Sequence, residues 1–244
     1  MLSRNWRNVC RRYSQAVTFR TSETAPAQHS DNHVGLYYTL DNNLCKQLFA
    51  HGGLPKSFNK QTKTFTETAV MVRKPALDII DCIKASDLSK PAVRYLLYGD
   101  KGTGKSLTLV HLLHYAHNDG FIIVHVPWVS EWLRRIPRNK EMCNSASKEG
   151  MTNGVIVLTA DQLAVPEDHQ ESYYPKYLLT RKGFDHLDPF VPIECSRYSE
   201  KEFLSCASYY RDRLWLRGPQ ELETELKFTS ASNPYRFMEM CAPL

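Results

Sequence analysis

The sequence predicts an α/β fold in which a parallel β-sheet is flanked by helices. Four short apolar segments have strand length and are bounded by turn residues, so they are predicted to be strands: 93–98, 121–126, 155–158 and 190–195. Segments with helical spacing separate them, which is the alternation that a parallel sheet requires. A glycine-rich loop joins the first strand to the next helix, at the strand end where such sheets bind ligands.

This loop reads Gly-Asp-Lys-Gly-Thr-Gly-Lys-Ser and matches the phosphate-binding pattern G-x-x-x-x-G-K-[ST]. Its glycines allow backbone N–H groups to surround a β-phosphate, and the helix that follows adds the positive end of its dipole. Lys105 would reach the β- and γ-phosphates, and the Ser106 hydroxyl would bind Mg²⁺. The whole loop is therefore predicted to bind a nucleotide: Gly99, Asp100, Lys101, Gly102, Thr103, Gly104, Lys105 and Ser106.

The first 22 residues have the composition of a mitochondrial presequence. They contain no acidic residue and five arginines, namely Arg4, Arg7, Arg11, Arg12 and Arg20. Cleavage is predicted near residue 13, and it would remove four of those arginines from a chain of net charge +5. The mature chain is then nearly neutral, so bulk charge gives little indication of RNA binding. A basic arm that is retained and contacts RNA is the alternative.

Three further regions follow the presequence. Residues 23–60 are predicted to be an extended segment, residues 61–198 a nucleotide-binding domain and residues 199–244 a C-terminal helical lid. Residues 66–85 have helical spacing interrupted near Pro75. Ser199 and Glu202 have the spacing of a capping box, and Asn233 is predicted to cap a last short helix. No segment has the length and apolarity of a membrane span.

Several other residues are predicted to have only structural roles. Seven cysteines show no metal-like spacing, and three in apolar stretches are predicted to be core residues: Cys82, Cys195 and Cys206. Three histidines share one helix face without a suitable fourth ligand and are predicted to lie on the surface: His111, His114 and His117. An aromatic group is predicted to pack within the lid rather than stack on bases: Tyr209, Tyr210 and Trp215.

A hydrolytic enzyme of this kind also needs a carboxylate at the end of a neighbouring strand, to fix the metal. Asp161 follows the strand at 155–158 and is one candidate. The alternative is that Asp161 begins a surface loop.

Four blocks of the sequence carry a family resemblance, and they occur in family order: residues 71–77, 96–106, 182–190 and 232–234. With them, residues 33–244 resemble the death-associated GTP-binding proteins of the mitochondrial small ribosomal subunit. The resemblance implies a P-loop NTPase-like fold of the AAA-like, ASCE type. It further implies GTP or GDP as ligand, with ATP possible, together with Mg²⁺. The implied location is the mitochondrial matrix, and the implied partners are small-subunit rRNA and ribosomal proteins.

The same resemblance implies roles for individual residues. Arg73 would pack beside the nucleotide base, whereas a solvated arginine on an amphipathic helix is the alternative. Asn233 and Pro234 would approach the nucleotide from the lid, or would only cap a helix. The implied activity is structural support of mitochondrial translation, and the family also has a link to apoptosis.

The chain departs from the family between residues 128 and 154. Members carry a long additional block there, including the strand that bears the metal-binding acid. The chain is therefore predicted to be a shortened form with an incomplete sheet, in which the segment at 121–127 has lost its neighbour. Efficient hydrolysis is not expected. The alternatives are a matrix NTPase or chaperone, and a nonfunctional truncated product. A basic cluster at 134–140 is either a solvated loop or a contact to rRNA phosphates.

Overall fold

The computed structural model describes residues 18–127, 153–162, 172–179 and 181–242. The strands are β1 (Tyr37–Leu40), β2 (Thr68–Met71), β3 (Val93–Tyr98), β4 (Val155–Thr159) and β5 (Val191–Glu194). The first helices are α1 (Asn42–Leu48), α2 (Lys56–Phe65), α3 (Lys74–Ala85) and α4 (Lys105–Asn118). The later helices are α5 (Pro175–Leu178), α6 (Arg181–Leu187), α7 (Glu200–Asp212), α8 (Leu222–Ser230) and α9 (Pro234–Cys241).

The larger sheet is parallel, as predicted, and has the order β4-β3-β5. Tyr95 in the central strand pairs with Val157 on one side and Val191 on the other. Helices α3 and α4 pack on β3 through a buried cluster that contains Ile79 and Leu112. The sheet therefore places the C-terminal end of β3, and the glycine-rich loop after it, beside the ends of two neighbouring strands.

The segment at 121–127 was predicted to be a strand, and this prediction is wrong. It is extended, but it pairs with no strand among the described residues. Both edges of β3 are already occupied by β4 and β5, so no hydrogen-bonding edge of the central strand is left for it. Phe121 and Ile123 pack inward, whereas Ile122 and Val124 are 96% and 84% exposed. The side chains of this segment alternate inward and outward as in a strand, although no strand among the described residues pairs with it.

A smaller antiparallel sheet pairs β1 with β2, with Tyr37 opposite Met71. Residues 66–85 were predicted to be one interrupted helix, but the first part of this segment is strand β2. Its side chains are buried on both faces, so their spacing lacks the alternation of a half-exposed strand. Pro75 lies in the first turn of α3. A backbone N–H group there has no acceptor within the helix, so its absence in proline costs no hydrogen bond.

Residues 23–60 are more structured than the extended segment that was predicted, since they contain two 3-10 turns, β1, α1 and the start of α2. His29 anchors the beginning of this region on α4. Its Nε2–H donates to the carbonyl of Glu23 (3.0 Å), and its Nδ1 accepts from Nε2–H of His111 (2.9 Å). This contact joins the segment to the helix that follows the glycine-rich loop.

The histidines of α4 were predicted to lie on the surface, but His111 and His114 are buried and only His117 is exposed. His111 and His114 lie against Tyr38 of β1, and His111 also contacts the His29 ring. The prediction failed because the N-terminal segment packs on this side of α4, which would otherwise face water.

The C-terminal helices form a separate cluster against the smaller sheet. Phe203, Cys206 and Phe237 are buried there together with Tyr37 and Met71. Ser199 and Glu202 form the predicted capping box of α7, and Asn233 caps α9 as predicted. Cys195 and Cys206 are buried as predicted, whereas Cys82 is exposed on α3.

Some predictions concern parts of the chain that lie outside the described residues. These are residues 1–17 of the predicted presequence 1–22, with its cleavage near residue 13, and the basic cluster at 134–140. Among the helices that are described, none has the length and apolarity needed to cross a membrane.

The buried histidines predict acid sensitivity. Burial, and then repulsion from neighbouring histidines, lowers the pKa of His111 to about 3 and of His114 to about 4. An unfolded histidine titrates near ~6.5, so the unfolded chain binds more protons below that pH. We expect the free energy of unfolding to fall as the pH drops from about 6.5 towards about 4, by ~1.4 kcal/mol per pH unit for each buried histidine. Urea unfolding at several pH values measures this slope.

The matched variants for this prediction are His114→Gln and His117→Gln. The first removes a buried histidine and should make the pH dependence shallower, whereas the second removes an exposed one and should leave it unchanged. Equal slopes for both variants would contradict the prediction.

The unpaired segment at 121–127 exposes apolar side chains. We therefore expect the chain to self-associate, and charged substitutions in this segment to reduce the association. Ile122→Lys and Val124→Lys replace almost fully exposed apolar side chains. We expect them to raise the monomeric fraction in size-exclusion chromatography while changing the free energy of unfolding by less than ~0.5 kcal/mol. Ile123→Lys, at a side chain packed on the core, should instead destabilise the protein. If all three substitutions behave alike, the segment does not lie as described.

Candidate functional site

The glycine-rich loop connects β3 directly to α4, and two of its glycines are required by close contacts. Gly99 has a φ of 145°, and a Cβ atom there would lie 2.5 Å from the carbonyl oxygen of Cys195. Gly102 has a φ of 85°, and a Cβ atom there would lie 2.6 Å from Cβ of Tyr235. The loop is therefore enclosed by the end of β5 on one side and by the start of α9 on the other.

Successive carbonyl groups of the loop accept hydrogen bonds. Lys105 Nζ donates to the carbonyls of Gly99 (2.9 Å) and Asp100 (3.0 Å). Asn233 Nδ2 donates to the carbonyl of Lys101 (2.9 Å), and the backbone N–H of Tyr235 donates to that of Gly102 (3.1 Å). These bonds fix the peptide planes of the loop. The first N–H groups of α4 have no partner within the helix, so they are available to an anion.

Lys105 and Ser106 lie at the N-terminus of α4, where a phosphate would meet them. Lys105 is largely buried, and burial lowers its pKa in spite of attraction to Asp161, Cys195 and Asp100. A phosphate beside Lys105 would offset this desolvation. Ser106 is exposed to the cavity that the loop borders. Asp161, just after β4, lines the same cavity and lies close enough to act on the Lys105 ammonium.

Arg73 supports the loop from behind. Its Nη1 donates to the carbonyl of Thr103 (2.5 Å), its Nε to Oε1 of Glu202 (2.9 Å) and its Nη2 to the carbonyl of Ser196 (2.9 Å). Desolvation opposes the charged guanidinium, but the Glu202 carboxylate outweighs it and the pKa of Arg73 is raised. The alternative of a solvated arginine is therefore wrong, since Arg73 is only 5% exposed.

Glu202 connects this ion pair to the C-terminal helices. Its Oε2 also accepts a hydrogen bond from the backbone N–H of Ser199 (2.8 Å), the N-cap of α7. One carboxylate thus caps a helix and neutralises the arginine that holds the loop. Sequence reasoning identified the capping box but not the ion pair, because Arg73 and Glu202 are 129 positions apart in the chain.

A cavity of about 370 Å³ opens beside the loop. This volume is within the range of ~300–1,000 Å³ that is usual for ligand pockets. Five of the predicted nucleotide-binding residues line it: Lys101, Gly102, Gly104, Lys105 and Ser106. The other four are not among its lining residues and belong to the loop's supporting side: Gly99, Asp100, Thr103 and Arg73.

The opposite walls of the cavity were not predicted from the sequence. They come from β1, β2, α2 and the C-terminal helices, and include Tyr37, Phe58, Gln61, Met71, Tyr198 and Tyr210. No local pattern marks these residues, since five of them occupy buried positions of their own elements and Tyr198 lies in the connection before α7. Only the packing of the smaller sheet beside the loop brings them to one surface.

Metal-binding residues are sparse in the part of the chain that the structure describes. No group of three or more histidine, cysteine, aspartate or glutamate side chains there could hold a metal ion. A cation at this site would depend on the Ser106 hydroxyl, on Asp161 and on the oxygens of a bound phosphate.

The ion pair predicts unequal effects for two arginines. Arg73→Ala leaves the Glu202 carboxylate buried without its partner, so it should lower the free energy of unfolding by about 3–5 kcal/mol. Arg197→Ala breaks a 2.9 Å pair with Asp100 that is open to solvent, and should cost less than about 1 kcal/mol. Urea denaturation followed by circular dichroism measures both. Losses of similar size would show that the buried pair does not hold the loop.

The chain is similar to several known proteins. The family model described as "Mitochondrial ribosomal death-associated protein 3" matches residues 70–151 and 139–240. A protein of Bos taurus named "Small ribosomal subunit protein mS29" is 29% identical over 350 residues, which cover 92% of this chain and 88% of the relative. The protein of the same name from Mus musculus is 27% identical, covering 92% and 89%.

A shorter match, to the Neurospora crassa protein of that name, is 27% identical over 67 residues and covers 28% of this chain. The two parts matched by the family model together include both the glycine-rich loop and the C-terminal helices. They span well over half of the sequence, and the resemblance inferred from the residues is confirmed. The chain belongs to the mitochondrial ribosomal death-associated protein 3 family.

Proposed function

We propose that this protein is a structural component of the mitochondrial small ribosomal subunit that holds a guanine nucleotide and supports mitochondrial translation. The observation that carries the proposal is the fixed glycine-rich loop, whose N–H groups and Lys105 border a cavity large enough for a nucleotide. The relatives that cover most of the chain are named as small ribosomal subunit proteins. The family confirms the predicted mitochondrial location, in the matrix where such ribosomes work.

The residues of the site fit a nucleoside di- or triphosphate. The β-phosphate would lie against the N–H groups at the start of α4, and Lys105 would neutralise its charge. Ser106 would hold Mg²⁺, which shields phosphate charge when it is bound. Arg73 does not line the cavity, so its proposed role is to position the loop rather than to contact the base.

The arrangement of elements supports a P-loop NTPase-like fold of the AAA type, with α7, α8 and α9 as a lid. Asn233 and Tyr235, at the start of α9, contact the loop through two hydrogen bonds. A nucleotide in the cavity would therefore lie between the loop and the C-terminal helices. Binding should stabilise both parts together, because a ligand that binds only the folded state shifts the unfolding equilibrium.

Two observations support the proposal that the chain is a shortened family member. The alignment with the Bos taurus protein is 350 residues long but uses only 92% of the 244 residues of this chain, roughly 224. About 126 aligned positions of the relative therefore have no counterpart in this chain. The two family matches meet and overlap at 139–151, between the unpaired segment and β4. A block absent at that place would account for the exposure of Ile122 and Val124, which no element among the described residues covers.

The proposed role of the nucleotide is structural or regulatory rather than that of a substrate. Among the described residues that line the cavity, Asp161 is the one carboxylate, and it is exposed. Efficient hydrolysis needs a carboxylate fixed at a neighbouring strand end to organise the metal and its water. The partners that this role requires are small-subunit rRNA and the ribosomal proteins around the site of assembly.

A matrix NTPase is the second candidate, because Asp161 lies near Lys105 at the end of the strand beside β3. Turnover that depends on Mg²⁺ and is lost in Asp161→Ala would favour this candidate over the structural one.

The proposal predicts that Lys105 is needed for binding of the phosphates. Lys105→Ala should weaken the affinity for GTP and GDP by at least about 100-fold, since a cation that touches phosphate is worth roughly 3 kcal/mol. Isothermal titration with each nucleotide measures the loss. Lys63→Ala removes an exposed lysine from the last turn of α2 and is the matched control.

The ribosomal role is tested separately, by sedimentation of the tagged protein from mitochondrial lysate on a sucrose gradient. The wild-type chain should migrate with the small subunit. Absence from that peak would overturn the ribosomal role, and equal binding by wild type and Lys105→Ala would overturn the nucleotide site.

A further inference from the structure

The first residues that the structure describes, 18–35, form an N-terminal strap that crosses several elements of the fold. Its first part lies parallel to β1. The backbone N–H of Tyr37 donates to the carbonyl of Phe19 (2.7 Å), and the N–H of Thr21 donates to the carbonyl of Tyr37 (2.9 Å). The strap therefore occupies backbone groups of β1 that do not pair with β2.

A charged and aromatic anchor fixes this end of the strap. Both Nη atoms of Arg20 donate to the carboxylate of Glu67, at 2.8 and 3.2 Å. The guanidinium carbon also lies 5.5 Å from the centre of the Tyr209 ring, whose hydroxyl donates to the same carboxylate (2.9 Å). Arg213 forms a second ion pair with Glu67, and Phe19 packs on the cluster of the C-terminal helices. The anchor joins the strap to α7 and to the residue before β2.

The other end of the strap is fixed on the helices of the larger sheet. His29 bonds to His111 of α4. Lys84 of α3 donates to the carbonyl of Ala27 (2.8 Å), and the Ala27 side chain packs on the buried cluster between these helices and β3. The strap thus runs from the C-terminal helices, along β1, to the helices of the larger sheet.

The start of the strap lies inside the part of the sequence that was predicted to be the presequence, residues 1–22. Arg20 is one of the arginines on which that prediction rested. In the folded chain the same side chain is the ion-pair partner of Glu67, and the two side chains are only 33% and 15% exposed. The last residues of the predicted presequence are therefore part of the folded protein.

We propose that the strap is retained in the mature protein and that Phe19 and Arg20 set the downstream limit for removal of the presequence. A cut near residue 13, as predicted from the sequence, leaves the backbone bonds to β1 and the ion pair in place. A cut after Arg20 removes the anchor, so the strap opens from that end. The edge of β1 is then left with unpaired backbone groups, which favour association with other chains.

Limited proteolysis of the purified full-length chain measures the opening of the strap. A protease that cuts after glutamate finds its first site at Glu23, because residues 1–22 contain no acidic residue. The carbonyl of Glu23 accepts a hydrogen bond from Nε2–H of His29 (3.0 Å), so this peptide bond becomes accessible when the strap opens. Mass spectrometry follows the release of residues 1–23. Arg20→Ala should speed this release by roughly fivefold, the value of a partly buried ion pair.

Further variants separate the anchor from a general loss of stability. Glu67→Gln should also speed the release, and adding Arg20→Ala to it should have little further effect, since both changes remove the same pair. Arg197→Ala breaks a more exposed ion pair elsewhere and should leave the release at the wild-type rate. Leu96→Val weakens the core of the larger sheet, so it should speed cleavage after the buried Glu202 but not after Glu23.

Import of the full-length precursor into isolated mitochondria tests the processing limit. Mass spectrometry identifies the N-terminus of the mature chain, which should be residue 19 or an earlier one. A mature chain that begins later overturns the proposal. Release of residues 1–23 that responds to Leu96→Val as strongly as to Arg20→Ala also overturns it, because the strap would then open only when the whole chain unfolds. Thermal unfolding shows that each variant is folded, and Arg20→Ala decides the matter if Glu67→Gln does not fold.

Discussion

The buried ion pair between Arg73 and Glu202 is the interaction on which the site depends. It joins the start of α3, the glycine-rich loop, the chain after β5 and the N-terminus of α7 through one guanidinium and one carboxylate. Such a pair contributes little net stability, because desolvation consumes most of its attraction. Its value lies in geometry: a planar donor with several fixed N–H groups orients the Thr103 carbonyl and the start of α7 at the same time.

The site is built in two layers around this pair. Behind the loop, hydrogen bonds to successive carbonyls hold each peptide plane. In front of it, the smaller sheet and the C-terminal helices enclose the cavity, whose wall includes Gln61. The supporting residues are distributed over most of the chain.

The segment at 121–127 shows what strand composition gives when no described strand pairs with it. Its sequence has the apolar composition of a buried strand, and its backbone is extended as that composition predicts. A strand also needs a hydrogen-bonding edge, and both edges of β3 are taken by β4 and β5. With no covering element among the described residues, Ile122 and Val124 face water. Exposed apolar edges of this kind favour association between chains.

The sequence alone determined the α/β class, the central strand, the glycine-rich loop before a helix, the capping box of α7 and the family, because each depends on residues that are close together in the chain. The histidine cluster, the smaller sheet, the Arg73–Glu202 pair and the wall of the cavity opposite the loop were decided only by the tertiary structure. Each of these joins residues that lie tens of positions apart or more. A pattern of local residue types predicts which face of an element is apolar, but burial and pairing depend on what covers that face. His111 was therefore misplaced, whereas the turn from strand to helix at Lys105 was predicted, since a helix N-terminus carries its own signal and a helix face does not.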